Sequence, residues 1–184
     1  MVNYSVRLDA EELLALARQD LGKERYDEAL LKLKQATADA PIQEVPAQIF
    51  AELGRLNLRL GLRAKAKQAF QTYLARTPEA VQERFELGLA YFEENASEPA
   101  LKLWEETLKR APLHPPTLFY SSLANAQRGS FSAALQLSQT LLANVNAENL
   151  YHGRAKELVQ RIEADPNYKK AGDTRVAIDP RVQH

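Results

Sequence analysis

The chain is predicted to be all-α, built from a repeating pair of helices. Three observations carry this. Ala, Leu, Glu, Gln, Lys and Arg dominate, while Val, Ile and Gly are sparse, with only 7 Gly in 184 residues; the abundant types are strong helix formers. Apolar residues make up 45% of the chain, enough for one sizeable core or a short repeat array. Most telling, small and apolar residues return in phase along the chain.

The alanines set the phase. Ala29, Ala66, Ala100 and Ala134 are spaced by 37, 34 and 34 residues. Twelve residues after the first three come Pro41, Pro78 and Pro112, with Asn146 in that place in the fourth unit. Twelve or thirteen residues before each Ala stands a Leu–small pair: Leu16–Ala17, Leu53–Gly54 and Leu87–Gly88, degenerate in the fourth unit as Ser121–Ser122. Four residues after each Ala come Leu33, Phe70, Trp104 and Ser138. A physical scheme follows. The small residues let the two helices of a unit approach, the bulky ones fill the space to a neighbour, and the prolines end one unit before the next.

Each unit has local signals. Asp9-Ala10-Glu11-Glu12 has the pattern of a capping box at the start of the first helix. Thr77–Pro78 is expected to be an N-cap followed by Pro in the first helical turn. The three extra residues between the first two units fall in the Pro-bounded stretch APIQEVPA. After the last unit, 147–164 is expected to form a capping helix, with Arg154, Lys156, Glu157, Arg161 and Glu163 on one face and Leu150, Leu158 and Ile162 on the other. Terminal units of repeat arrays need such a lid. Residues 165–184 have no helical period and are expected to be a non-helical tail. Its TRVAI core is β-prone, and the segment is either loose or docked on the body or a partner.

A period of 34 made of two helices resembles the tetratricopeptide repeat. The resemblance covers four units, at 9–43, 47–80, 81–114 and 115–146, within an expected domain of 1–164. It implies an α-solenoid, a right-handed superhelix of helix-turn-helix units. There are departures: Asp20 stands where the family favours Tyr, an aromatic kept only as Tyr91, and the fourth unit loses both its small and its large residue.

The resemblance also implies a concave groove lined by the first helix of each unit. By register with the Leu–small pairs, the groove residues are Arg18, Arg55 and Arg59 in the first half and Phe85, Leu89, Phe92, Phe119 and Leu123 in the second. Leu14, Leu21, Ala51 and Gln127 fall on the same faces. Arginine forks bind carboxylates in bidentate fashion, so this surface suits a partner segment with acidic groups at one end and apolar anchors at the other. Each group also has a plainer reading. The phenylalanines are either inter-helix packing or ligand surface, and the arginines either ordinary solvated or ion-paired side chains or ligand contacts.

Charge is segregated although the formal net charge is zero. From Leu53 to Pro78 the charged residues are all basic: Arg55, Arg59, Arg63, Lys65, Lys67 and Arg76. From Glu79 to Glu106 only Arg84 and Lys102 interrupt a run of glutamates. These runs either pair with each other or join two copies head to tail in a homodimer. A balanced charge argues against nucleic acid as the main partner.

No chemistry is spelled out. There is no Cys, and His114, His152 and His184 lie far apart, so neither a metal site nor a cofactor is expected. Ser121 and Ser122 lack a base at motif spacing, and no glycine-rich phosphate loop occurs. The expected function is a non-enzymatic adaptor or assembly factor for a protein or peptide partner. The alternative is a chaperone for a secretion-system or surface-appendage subunit, a role small free-standing members of the resembled family fill. An acceptor of C-terminal carboxylates of the co-chaperone kind is disfavoured, because the corresponding clamp positions are Leu14, Arg18 and Glu52, and Glu repels a carboxylate. With no run of about 18 apolar residues and no leader pattern in MVNYSVRLDAEE, a cytoplasmic setting is expected, a periplasmic mature form being the alternative.

Overall fold

The structure, a computed structural model, describes residues 8–38 and 40–168. These residues are helical throughout, joined by short turns. They fall into two compact units that divide after Ala96, inside the third expected helix pair.

The first unit holds α1 (Ala10–Gly22), α2 (Tyr26–Ala38), α3 (Ala47–Arg59), α4 (Arg63–Arg76) and α5 (Val81–Phe92). The capping box at Asp9 forms as its sequence suggests. Asp9 Oδ1 accepts from Glu11 N at 2.9 Å and Glu12 N at 2.8 Å, and Glu12 Oε2 accepts from Asp9 N at 2.9 Å. α1 packs on α2 and α3 on α4 as antiparallel hairpins, and α4 continues against α5. The alanine column does its work at zero exposure: Ala17, Ala29 and Ala66 are fully buried, as are Leu33 and Phe70. A close approach is at Gly54, where a Cβ would stand 2.5 Å from a ring carbon of Phe70. Only glycine fits beneath that ring without displacing it.

Two expectations are corrected here. Thr77 is not an N-cap. It closes α4, its N–H donating to Tyr73 O at 2.9 Å, and α5 begins at Val81 behind Ala80 with no side-chain cap. Pro78 lies in the turn between. The buried guanidinium of Arg84 reaches back to the carbonyls of Pro78 and Ala80 and holds that turn. Leu14 and Ala51, expected on a groove face, are buried among their neighbours.

The second unit holds α6 (Ser97–Arg110), α7 (Pro115–Gln127), α8 (Phe131–Asn144) and α9 (Leu150–Ala164). α7 pairs with α8, and α9 lies against both. The degenerate fourth repeat is resolved by compensation. Ser122 and Ser138, both fully buried, face each other with hydroxyls 2.7 Å apart, and Ser122 Oγ also donates to Ala134 O at 2.6 Å. Where Gly54 accommodates a large ring, two medium residues share the same space and satisfy each other's polarity. α9 starts three residues later than expected, capped by Asn149 Oδ1, which accepts from Tyr151 N at 2.9 Å. Its inner face is Ala155, Leu158 and Ile162; Leu150, expected on that face, is exposed. Residues 166–168 form one helical turn rather than non-helical tail, and the Tyr168 ring packs on Phe131. The β-prone 174–178 stretch lies outside the described residues.

The turns after α1, α3, α5 and α7 each have one residue in the left-handed region: Glu24 (φ 58°), Gly61 (71°), Asn95 (61°) and Gly129 (76°). They share one repeat position. At each turn the backbone N–H of the following residue donates five positions back, as in Leu62 N to Asn57 O at 2.8 Å and Ser130 N to Asn125 O at 2.9 Å. The departure at Asp20 belongs to this system. Its backbone carbonyl accepts from Arg25 N at 2.9 Å, while its buried carboxylate binds the Arg25 guanidinium and Lys32 Nζ. The hydrogen bond from Lys32 is the main influence holding the Asp20 carboxyl below the ordinary aspartate range; the Arg25 charge assists, against the opposing effect of burial. In the third unit Tyr91 takes that position, its ring under Lys67 Nζ at 4.7 Å.

Candidate functional site

The first unit has a cleft of about 560 Å³ walled by α3 and α5, with the end of α1 at its edge. Helical spacing brings Leu21, Leu56, Leu58, Phe85 and Leu89 to it, and with them Glu52, Arg55, Arg59 and Glu86. Five of the residues expected on the groove faces therefore meet: Leu21, Arg55, Arg59, Phe85 and Leu89. Phe85 is only 5% exposed, so it forms the floor and is not a projecting anchor; Leu89 is half-buried.

The charges are largely consumed within the molecule. Arg55 Nη2 lies 2.5 Å from Glu83 Oε1, Nε lies 3.1 Å from Glu86 Oε2, and Nη1 lies 3.8 Å from Glu52 Oε2. Burial works against the Arg55 charge, but the surrounding carboxylates outweigh it and raise its pKa. Glu86 is shifted upward chiefly by burial, which overcomes the hydrogen bonds from Gln82 and Arg55. Arg18 Nε donates to Glu52 Oε1 at 2.9 Å. Further along, Arg63 pairs with Glu93 at 3.1 Å and Lys67 with Glu94. Of the readings open for the basic run, pairing with the acidic run inside the molecule is what the structure shows. Arg55 is thus enclosed by carboxylates of its own molecule, and Arg18 has one such partner through Nε.

Arg59 differs. It is exposed, its Nη1 donates to Tyr26 Oη at 2.7 Å, and its guanidinium lies 5.1 Å from the Tyr26 ring centroid. No carboxylate pairs with it among the described residues. The ring holds the side chain in place and leaves donors available.

The other expected residues do not join this cleft. Phe92 is half-buried at the end of α5. Phe119 and Leu123 line a separate cleft of about 310 Å³ in the second unit, between α7 and α9. Phe119 is 9% exposed and packs on the Tyr120 ring at 5.3 Å and the Tyr151 ring at 5.7 Å. Sequence reasoning set the basic run against the acidic run that holds Glu83 and Glu86, but missed Tyr26 and Glu52 as partners of the arginines, and Arg154 and Arg161 as walls of the second cleft. A usable signal existed: Arg18–Glu52, Arg55–Glu86 and Arg63–Glu93 are separated by 34, 31 and 30 residues, about one repeat.

Comparison with known proteins agrees with this architecture. Residues 51–98 match a tetratricopeptide repeat family model. A tetratricopeptide repeat protein from Parabacteroides merdae is similar at TM-score 0.74 and 19% identity over 94% of this chain and 68% of that one. A MamA fragment from Desulfovibrio magneticus RS-1 is similar at TM-score 0.72 and 18% identity, with 89% of each chain covered. YrrB, described as a tetratricopeptide protein with an unusual peptide-binding site, is similar at TM-score 0.70 and 18% identity over 80% of this chain and 74% of that one. No curated protein sequence matches significantly. The likenesses establish an all-α fold of tetratricopeptide type. Among the described residues no helix is long and apolar enough to cross a membrane.

Proposed function

We propose that this chain is a non-enzymatic adaptor that holds a segment of a partner protein in the cleft between α3 and α5. The observation that carries the reading is the combination of an apolar floor (Leu56, Phe85, Leu89) with Arg59, held on Tyr26 and unpaired with any carboxylate among the described residues. The segment that fits presents a bulky apolar side chain next to a single carboxylate. The hydrophobic part supplies most of the affinity, and Arg59 sets the orientation. Interaction with protein segments is what tetratricopeptide folds generally serve, and a formal net charge of zero suits a protein or peptide partner better than nucleic acid.

The test is partner capture from native lysate by the full chain, read by mass spectrometry, comparing wild type with Arg59→Glu and with Leu89→Lys. Both substitutions are at solvent-accessible positions, and equal helicity and melting are checked first. A partner retained by wild type and lost from both variants is the expected result. Equal capture by all three forms would remove the cleft from consideration.

A further inference from the structure

We propose that Glu86 is a proton-operated gate on the α3–α5 cleft: ionised, it occupies Arg55, and protonated, it releases Arg55 to the carboxylate of the docked segment. The gate rests on the reading of that cleft as the docking site and adds its regulation.

Glu86 stands on α5 and Arg55 on α3, so their contact laces the two walls of the cleft. Arg55 Nε lies 3.2 Å from Glu86 Oε1 and 3.1 Å from Oε2, and Gln82 Nε2 donates to Oε1 at 2.8 Å. Charged groups face this carboxyl from two helices: Glu52, Arg55 and Arg59 on α3, and Glu83 on its own α5. Arg18 on α1 reaches the cluster through Glu52, while Arg63 and Lys67 on α4 are engaged with Glu93 and Glu94 beyond the end of α5. Three carboxylates thus crowd Arg55, and they set a negative field in the cleft that a ligand's carboxylate must enter.

The Glu86 side chain is only 14% exposed. Burial penalises its charged form more than the Gln82 and Arg55 hydrogen bonds favour it, and holds its pKa above the ordinary 4.5. A proton taken from solvent changes what Arg55 meets. Gln82 keeps Oε1 as an acceptor, so the proton goes to Oε2. That oxygen then turns a hydrogen towards Arg55 Nε, donor against donor. Arg55 Nη2 stays on Glu83 at 2.5 Å, so the guanidinium remains in the cleft while Nε comes free for a ligand oxygen. The same proton removes one of the three negative charges around it. Both effects strengthen binding of a carboxylate as pH falls.

The experiment uses the full chain and a labelled, end-blocked peptide, Gly-Ser-Leu-Phe-Glu-Ser-Gly, with a second peptide in which a sulfonate replaces the carboxylate and stays ionised throughout. Fluorescence anisotropy is read at about pH 7.5 and about pH 5. Wild type is expected to bind either peptide about tenfold tighter at the lower pH. Glu86→Gln should bind at both values as tightly as wild type does at the lower one. Glu93→Gln, outside the cleft, should follow wild type. Glu86→Gln/Arg55→Gln should lose the gain, since Arg55 supplies it. Thermal melting reads the same proton without a ligand. Wild type is expected to gain stability relative to Glu86→Gln as pH falls through the raised folded value towards 4.5, where the unfolded chain takes up the proton too. Binding that does not change with pH, or changes alike in wild type and Glu86→Gln, overturns the gate; the docking reading stands if Arg59→Glu still abolishes that binding. A double variant as tight as Glu86→Gln also overturns it, because Arg55 would not be the group released. A melting difference that stays constant with pH overturns it as well. No binding by any form at either pH removes the docking reading and the gate with it.

Discussion

Ser121 and Ser122 are adjacent, both buried in α7, and in opposite situations. Ser122 Oγ bonds both Ser138 and the Ala134 carbonyl, whereas Ser121 Oγ has no hydrogen-bond partner among the described residues. A buried hydroxyl without a partner has lost its water for nothing, while removing one half of a satisfied pair strands the other half. Ser121→Ala is therefore expected to stabilise the protein by about 1 kcal/mol and Ser122→Ala to destabilise it by about 1–3 kcal/mol. Urea midpoints at constant m-value would separate the two; the same sign for both would contradict the assignment. Asp20 makes a pH-dependent case. Its folded pKa lies below the ordinary 3.8, so its contribution is present above that value and is lost as pH falls through the lower, folded value. The stability gap between wild type and Asp20→Asn should be full at about pH 6 and close steadily once pH drops below about 4. A gap that stays constant with pH would show that the carboxylate's charge is not what Lys32 and Arg25 respond to.

The turn after α1, α3, α5 and α7 is the element that repeats most faithfully, and its demand falls on one backbone angle. Gly61 and Gly129 meet it freely, while Glu24 and Asn95 meet it with a side chain attached. Adding a Cβ at Gly61 touches nothing within 4 Å, so Gly61→Ala isolates the backbone cost, expected at about 1 kcal/mol. The converse, Glu24→Gly, relieves strain at the same repeat position and is expected to stabilise by up to about 1 kcal/mol. Chemical denaturation of the two variants should therefore give midpoints on opposite sides of wild type. The helices themselves were legible because their signals are local: the alanine column, the capping box at Asp9 and the prolines each act within one unit. The start of α5 was not. Thr77–Pro78 has the right residue types for a cap, but the chain uses them in the turn, which Arg84 braces from inside α5. A bond that reaches from a helix back to the preceding turn is set by the path of the loop, which residue types alone do not specify.

For the molecule as a whole, the sequence shows which faces carry charge and aromatics but not how much of either is spent internally. Phe85 and Phe119 are at groove register and yet nearly buried, Phe85 as the floor of its cleft and Phe119 among the rings of Tyr120 and Tyr151. The arginines at the same register are mostly occupied because complementary glutamates recur about one repeat later. The same pairing bears on assembly. If the basic run from Arg55 to Lys67 and the acidic run from Glu83 to Glu94 were held for joining two copies, they would stand open. Instead Arg55, Arg63 and Lys67 each meet a glutamate of the same molecule. A head-to-tail dimer built on these charges would have to break those pairs to form equivalent ones, with nothing gained to offset the lost freedom of two bodies. Sedimentation equilibrium at low and high salt is accordingly expected to return the mass of one chain, 20.7 kDa, in both conditions. A dimer at low salt that dissociates as salt rises would show that the internal pairs open and exchange between copies. A dimer indifferent to salt would place the contact on an apolar face instead.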